Sequence, residues 1–305
     1  MLFWTVFFIK ASLIGNPAYK LGEIDIARQL TGRDFDNIRA IAPTNPNAAK
    51  AQLIAWLNTA LNLSIVEKQE IQRWQLIVDA IIRIRGTDGK TSDVGFAAPV
   101  EHRLTIPSGT VGIPTGWYGT VDPMEAIFYM KTLLNSKGYE LARIIGDSDI
   151  TAALALNPVM QGRTGVFTVN SGTLTQRTGL VSKAALDAYF GGFGLPAMEE
   201  YNLTYRTQTG SGFFKPRGSM VFIAATGRNE TIDLGDAGLQ IVENTAGYYA
   251  IGTAVGEDAP GRVIRTEARN LKPVGIYGQA FQTSLPGNLE SDGIAVLKIP
   301  KPVAA

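Results

Sequence analysis

The residues best suited to chemistry stand in "GDSD", where Asp147 and Asp149 follow the short apolar run Arg143-Ile144-Ile145. Carboxylates at a strand end can serve as general acid and base, and a pair flanking one bond is the equipment of glycoside hydrolysis. With Glu125 they define a hydrolytic reading of the chain. The same acids have a structural reading. A carboxylate at a helix start accepts bonds from free backbone amides and suits the positive end of the helix dipole. The next residues, "SDITAALALNP", have the pattern of such a helix, with Ser148 or Asp149 as its cap. Capping accounts for both acids, so the segment reads as scaffolding and no catalytic residue is assigned.

Other candidate motifs are incomplete. "GTDGKTS", Gly86 to Ser92, resembles a phosphate-binding loop, but Ile84 stands where its first glycine belongs. Such a loop also needs a helix after Lys90-Thr91 whose amides face the phosphate. "SDVGFAAP" reads instead as strand and loop, so Asp88-Gly89 is a hairpin turn. "TGSGFF" and "FGGFGLP" do not complete a dinucleotide fingerprint. His102 is the one histidine and there is no cysteine, so no zinc set, thiolate site or disulfide can be assembled. His102, in "PVEHRLT", reads as a surface or packed structural residue. "TYRTQTGSGFFKPRGSM" carries Arg206, Lys215 and Arg217 among aromatics and reads as a loop between two strands. Site residues for a cofactor or metal are therefore none, and no cofactor is expected.

What surrounds these residues is a chain of 305 residues, 45% apolar and 18% charged, with 33 Gly and 15 Pro. That suits a globular chain of two subdomains with many turns, and surface buried against neighbours. A net charge of +1 gives no footprint for sequence-specific DNA binding. "MLFWTVFFI" is broken by Lys10, far short of the roughly 20 apolar residues that span a bilayer. It reads as a strand or arm that buries itself on something, a neighbouring chain being one candidate. "EIDIARQLTG" reads as a short helix closed by Gly32.

The clearest element runs from Ala48 to about Ala80 without Gly or Pro. Leu53, Leu57, Ala60, Leu61, Ile71, Trp74 and Val78 mark one face. Such a helix is roughly 50 Å long, a spine lying across a sheet. Ile82 and Ile84 alternate with Arg83 and Arg85 in a strand of the hairpin. Asp122, with Pro123 and Glu125 after it, opens a helix striped by Ile127, Met130, Leu133 and Leu134 and stopped at Gly138. Ser182 caps another. "EEYNLTYRTQ" and "SMVFIAAT" read as strands, and the C-terminal end as two strands around the turn Pro286-Gly287-Asn288.

This order of elements resembles the major capsid proteins of tailed bacteriophages, the lambda-type (major capsid protein E) family with the Hong Kong 97-type fold. The likeness is carried by "DP" to Ile127, "KGY" at Lys137–Tyr139, "RII" at 143–145 and "LALNP" at 154–158. "GLPAMEEYNLTY" from Gly194 and "FFKPRGSMVFI" from Phe213 also carry it. The resemblance implies an α+β fold with a spine helix, a peripheral domain, an axial domain, an N-terminal arm and an extended loop. In this sequence it implies an arm and extended-loop-like segment over 1–47, and peripheral helix and hairpin over 48–121. It implies an axial domain over 122–269, and strands returning to the peripheral domain over 270–305. It further implies a non-enzymatic virion protein that joins as hexamers and pentamers into an icosahedral head around double-stranded DNA. Assembly in the bacterial host cytoplasm is implied, with cement, scaffold and portal proteins as partners and non-specific DNA contact. No membrane partner is expected. An encapsulin-type compartment shell or a cytosolic α/β hydrolase or glycosidase are the alternatives.

Overall fold

The computed structural model describes residues 5–8, 23–30, 33–85, 91–107, 109–110, 113–164, 167–170, 173–176, 181–207, 210–225, 247–254, 256–269, 275–288 and 291–302. Two sheets and one long helix organise it. The central sheet has the strand order Met198–Glu200, Glu140–Gly146, Ser219–Ala225, Ile294–Lys298, Arg103–Thr105. Its outer pairs are parallel and its inner pairs antiparallel. Ser219–Ala225 is buried along nearly its whole length, because both faces of this sheet are covered.

The alternation of side chains shows what covers each face. Ile144, Met220, Phe222, Ala295 and Leu297 pack with the helices Pro123–Ser136, Ser148–Leu156, Pro158–Thr164 and Lys183–Gly192. Ile145, Val221, Ile223, Ile294 and Val296 point the other way, onto Trp74, Ile77 and Val78 of the long helix. Period-two alternation thus puts successive residues of one strand into two different cores.

The long helix is continuous from Pro46–Leu57 through a π-helical turn, Asn58–Asn62, to Leu63–Asp79. Asn45 caps it, with Pro46 in the first turn. The inward face is right for Leu61, Trp74 and Val78, which are buried, while Leu53, Leu57, Ala60 and Ile71 are only partly covered. Ile65, Leu76 and Ile77 join that face. Leu61 and Ile65 pack on Ile24 and Ala280 of a second sheet, and Leu76 on Ile82 and Leu285. Burying each such aliphatic side chain contributes about 1.5–3 kcal/mol.

The second sheet is built on Gly275–Asn288, which pairs with Gly247–Gly252, Arg262–Arg269 and Glu23–Leu30. Strands on both sides of residue 270 therefore share this sheet, while Ile294–Lys298 belongs to the central one. A Cβ at Gly278 would lie 2.9 Å from Leu61 Cδ1, so glycine permits the close approach of helix and strand. Thr5–Phe8 adds a parallel strand beside Gly247–Gly252, so the N-terminal strand has a partner within its own chain.

Several sequence expectations change. Glu23–Leu30 is a strand, because Ile24, Ile26 and Leu30 alternate towards the helix and period two wins over the short helical reading. Pro286-Gly287-Asn288 lies inside a strand and makes no turn. Beyond Thr283 this strand is paired with Gly247–Gly252 alone, so a residue without an N–H is tolerated there. "EEYNLTYRTQ" is two strands, and "TYRTQTGSGFF" is a hairpin of Thr204–Thr207 with Gly210–Phe213 rather than a loop. The hairpin after the long helix forms as expected, Ile81–Arg85 against Thr91–Gly95. Its Asp88-Gly89 turn lies outside the described residues.

Candidate functional site

At the C-terminal end of Glu140–Gly146 the chain turns into Ser148–Leu156, and Asp147 is the cap of that helix. Its Oδ1 accepts from the Asp149 and Ile150 amides at 2.9 and 3.1 Å. Ser148 and Asp149 lie in the first turn instead of at the cap. Asp147 Oδ2 takes on a second task that the sequence did not reveal. It accepts from Lys215 Nζ at 2.7 Å and from the Gly218 amide at 3.0 Å.

Lys215 is nearly inaccessible, with 1% of its side chain exposed against 3% for Asp147. Its ammonium also donates to Ser219 O at 2.5 Å and Ser219 Oγ at 3.0 Å. Burial pushes the Lys215 amine below its ordinary value, and the Asp147 charge opposes that shift. Gly218 lies at φ 68°, and a Cβ there would stand 2.5 Å from Ile299 O. Hence the turn "KPRGS" admits only glycine at that point. Asp149, beside this pair, is bound by Arg217 and by Lys301 Nζ, the latter at 2.9 Å.

The cluster therefore joins "GDSD" to "KPRGS" and to the C-terminal segment. Every Asp147 oxygen is occupied by donors, and Asp149 is held by two cations. Glu125 is exposed in the first turn of Pro123–Ser136, on a different element. None of the three lines the two grooves, of 310 and 230 Å³, that flank the long helix. Among the described residues, Asp147, Asp149 and Glu125 do not face one another across either groove.

Thr91–Gly95 is a strand, so the helix a phosphate loop requires does not follow Lys90. His102 is fully buried, and its Nδ1 lies 3.1 Å from Ile294 O, which makes it a packed structural histidine. No group of three or more metal-ligating side chains occurs among the described residues. No helix among them is long and apolar enough to cross a membrane.

Two further polar clips hold the elements together. Asn157, from "LALNP", is fully buried. It donates to the carbonyls of Trp117, Gly119 and Val121 at 3.0–3.2 Å and caps the helix after it through the Val159 and Met160 amides. Glu70 on the long helix accepts from Trp74 Nε1 at 2.9 Å and Tyr201 Oη at 2.7 Å, and pairs with Arg73 at 2.8 Å. Arg73 reaches Tyr249 of the second sheet, whose hydroxyl donates to Gln69 O at 2.8 Å. One turn of helix thus ties both sheets.

Burial pushes the Tyr249 hydroxyl up to about 12. In the unfolded chain it titrates near 10. Between those values the unfolded chain loses its proton first, so stability falls as pH rises through the window. The loss should be roughly 1 kcal/mol by pH 11 and about 3 kcal/mol at full deprotonation. Tyr201 is raised for the same reason, with the Glu70 bond adding to it. Urea unfolding at pH 9 and 11 should show a smaller drop for Tyr249→Phe than for the wild type. Equal drops would contradict this account.

The sheet sandwiched between helices, the long helix crossing to a second sheet, and the hairpin beyond it together define the Hong Kong 97-type capsid fold. No protein-family model matches the chain, and comparison with curated proteins gives no significant match. Solved structures do match. The candidate capsid protein of a prophage of E. coli CFT073 superposes with a TM-score of 0.58 at 12% identity, over 92% of this chain and 77% of that one. A phage-related protein of Bordetella bronchiseptica RB50 gives 0.48 at 11% identity, over 92% and 75%. The capsid of Myoviridae phage XM1 gives 0.42 at 11% identity, over 92% and 74%. The first of these carries the fold assignment.

Proposed function

We propose that this chain is the major capsid protein of a tailed bacteriophage, the shell-forming subunit of an icosahedral head. The observation that carries the reading is the fold, shared along 92% of the chain with a candidate prophage capsid protein. Many copies join as hexamers and pentamers and enclose double-stranded DNA, with scaffold, portal and cement proteins as further partners. The shell is assembled in the host cytoplasm and becomes part of the virion. A net charge of +1 suits a wall that touches DNA without trapping it in salt-dependent contacts. The long helix and the second sheet form the peripheral part, and the middle segment with its helices forms the axial part. The strand-end acids support this reading, because Asp147 and Asp149 are engaged in holding elements of the fold together.

Electron microscopy of the purified protein tests the proposal. Closed shells or capsomer rings support it, and a monodisperse monomer that never assembles opposes it. Shells that package protein cargo and no DNA would point to a compartment of the encapsulin type with the same fold.

A further inference from the structure

The charged groups at the C-terminal end of the long helix are unevenly matched. Asp79 is the last helical residue. Its carboxylate accepts from Lys298 Nζ at 2.6 Å and lies 3.9 Å from Arg83 Nη1. A third cation stands on the same side. Arg103 opens the edge strand Arg103–Thr105, opposite Val296. Leu104 packs with the four short helices. Period two therefore turns Arg103 and Thr105 towards the long helix, the side that Val296 also faces.

Arg103 is poorly served there. Its Nη2 donates to Ile77 O at 3.4 Å, longer than an ordinary hydrogen bond. Its Nε and Nη1 are buried and have no hydrogen-bond partner among the described residues. Burial pushes the guanidinium down, and the Asp79 charge opposes that shift. Asp79 is thus near enough to act on Arg103, yet its short bond goes to Lys298. Buried donors left unmade are costly, and an apolar side chain in place of such a cation is often neutral or stabilising. Lys298 is 38% exposed and depends far less on the carboxylate.

The same junction has room and strain. Asp79 and Lys298 line the 230 Å³ groove together with Val78, Thr105 and the turn Pro216–Ser219. Among the described residues that line it, Asp79 is the one carboxylate, against Lys298 and Arg217. The groove therefore favours an acidic visitor. Ala80, the next residue, closes the helix at φ 54°. It is the one described non-glycine residue in the left-handed region, a strained conformation for an L-residue.

We infer that Asp79 is a latch with two alternative cations. In the free subunit it holds Lys298. When an acidic side chain of a neighbouring copy enters the groove and takes Lys298, Asp79 turns to Arg103 and supplies the missing acceptor. Docking at the surface thereby tightens the joint between the long helix and the edge of the central sheet. The neighbouring copy rests on the shell-forming reading given above, and the exchange of partners does not.

A double-variant cycle on the free subunit tests the exchange, with Lys298→Met standing in for a lysine already taken. In the wild type, Arg103→Met should raise the melting temperature by about 2–4 °C. In the Lys298→Met background the same change should lower it by a similar amount, because Asp79 has then turned to Arg103. A change of the same sign in both backgrounds overturns the latch. A fall in both would mean that Arg103 is already satisfied in the free subunit, for instance by an ordered water. In assembled particles Arg103→Met alone should lower the melting temperature. Particles of unchanged or raised stability overturn the role of the neighbouring copy and leave the exchange standing. A wild type that never forms particles overturns the shell reading, and the result of the cycle is unaffected.

Discussion

Asp147→Asn should destabilise the folded subunit by about 3–5 kcal/mol, a large part of the roughly 5–15 kcal/mol that holds a typical domain together. Asparagine caps a helix about as well as aspartate, so a cap alone would make the change mild. The Lys215 ammonium is what makes it severe. It is 1% exposed and has no other anion within ion-pair distance among the described residues. Removing the Asp147 charge leaves that ammonium buried and uncompensated. Lys215→Met should cost less, because three backbone amides still serve Asp147. The double variant Asp147→Asn with Lys215→Met should be more stable than Asp147→Asn alone, a coupling that a double-mutant cycle measures. Asp149→Asn should be mild, since its cations Arg217 and Lys301 reach solvent. Urea unfolding of the unassembled subunit gives all four values. An Asp147→Asn change below about half a kcal/mol would refute the buried pair.

Trp74→Ala should cost about 3–5 kcal/mol. The side chain is fully buried beneath the central sheet, against Val221 and Val296. Its ring meets that of Tyr201 at a tilt of 54° with centroids 4.8 Å apart, and its Nε1 donates to Glu70. Truncation leaves a cavity and also removes a donor from a carboxylate that ties helix to sheet. Leu57 packs instead with Leu61 and Ile65 on the second sheet and is only partly covered. Leu57→Ala should cost about 1–2 kcal/mol. Equal losses at the two sites would mean that the long helix packs on the two sheets differently from the arrangement described here.

These two cases show what was legible in the sequence. Caps and breaks are local, so Asp122, Ser182 and the hairpin after the long helix could be read from neighbouring residues. The long helix was legible from its spacing, yet its π-helical turn was not. Strand partners depend on distant residues, which is why Glu23–Leu30 passed for a helix and Pro286 for a turn. The Asp147–Lys215 pair was hidden for the same reason. "GDSD" and "KPRGS" are 68 residues apart, and nothing local says that a lysine will be buried. The capping role of Asp147 was visible, but its ion pair was not. "KPRGS" lies within a motif that carried the family resemblance, and the structure ties it to "GDSD" through this pair.

The proposal that the chain builds a closed shell is decided by cryo-electron microscopy of the protein expressed and purified alone. Particles whose wall resolves into hexameric and pentameric rings are expected, with the long helix crossing the peripheral part of every subunit. A homogeneous monomer under all assembly conditions, with the fold intact, would contradict it.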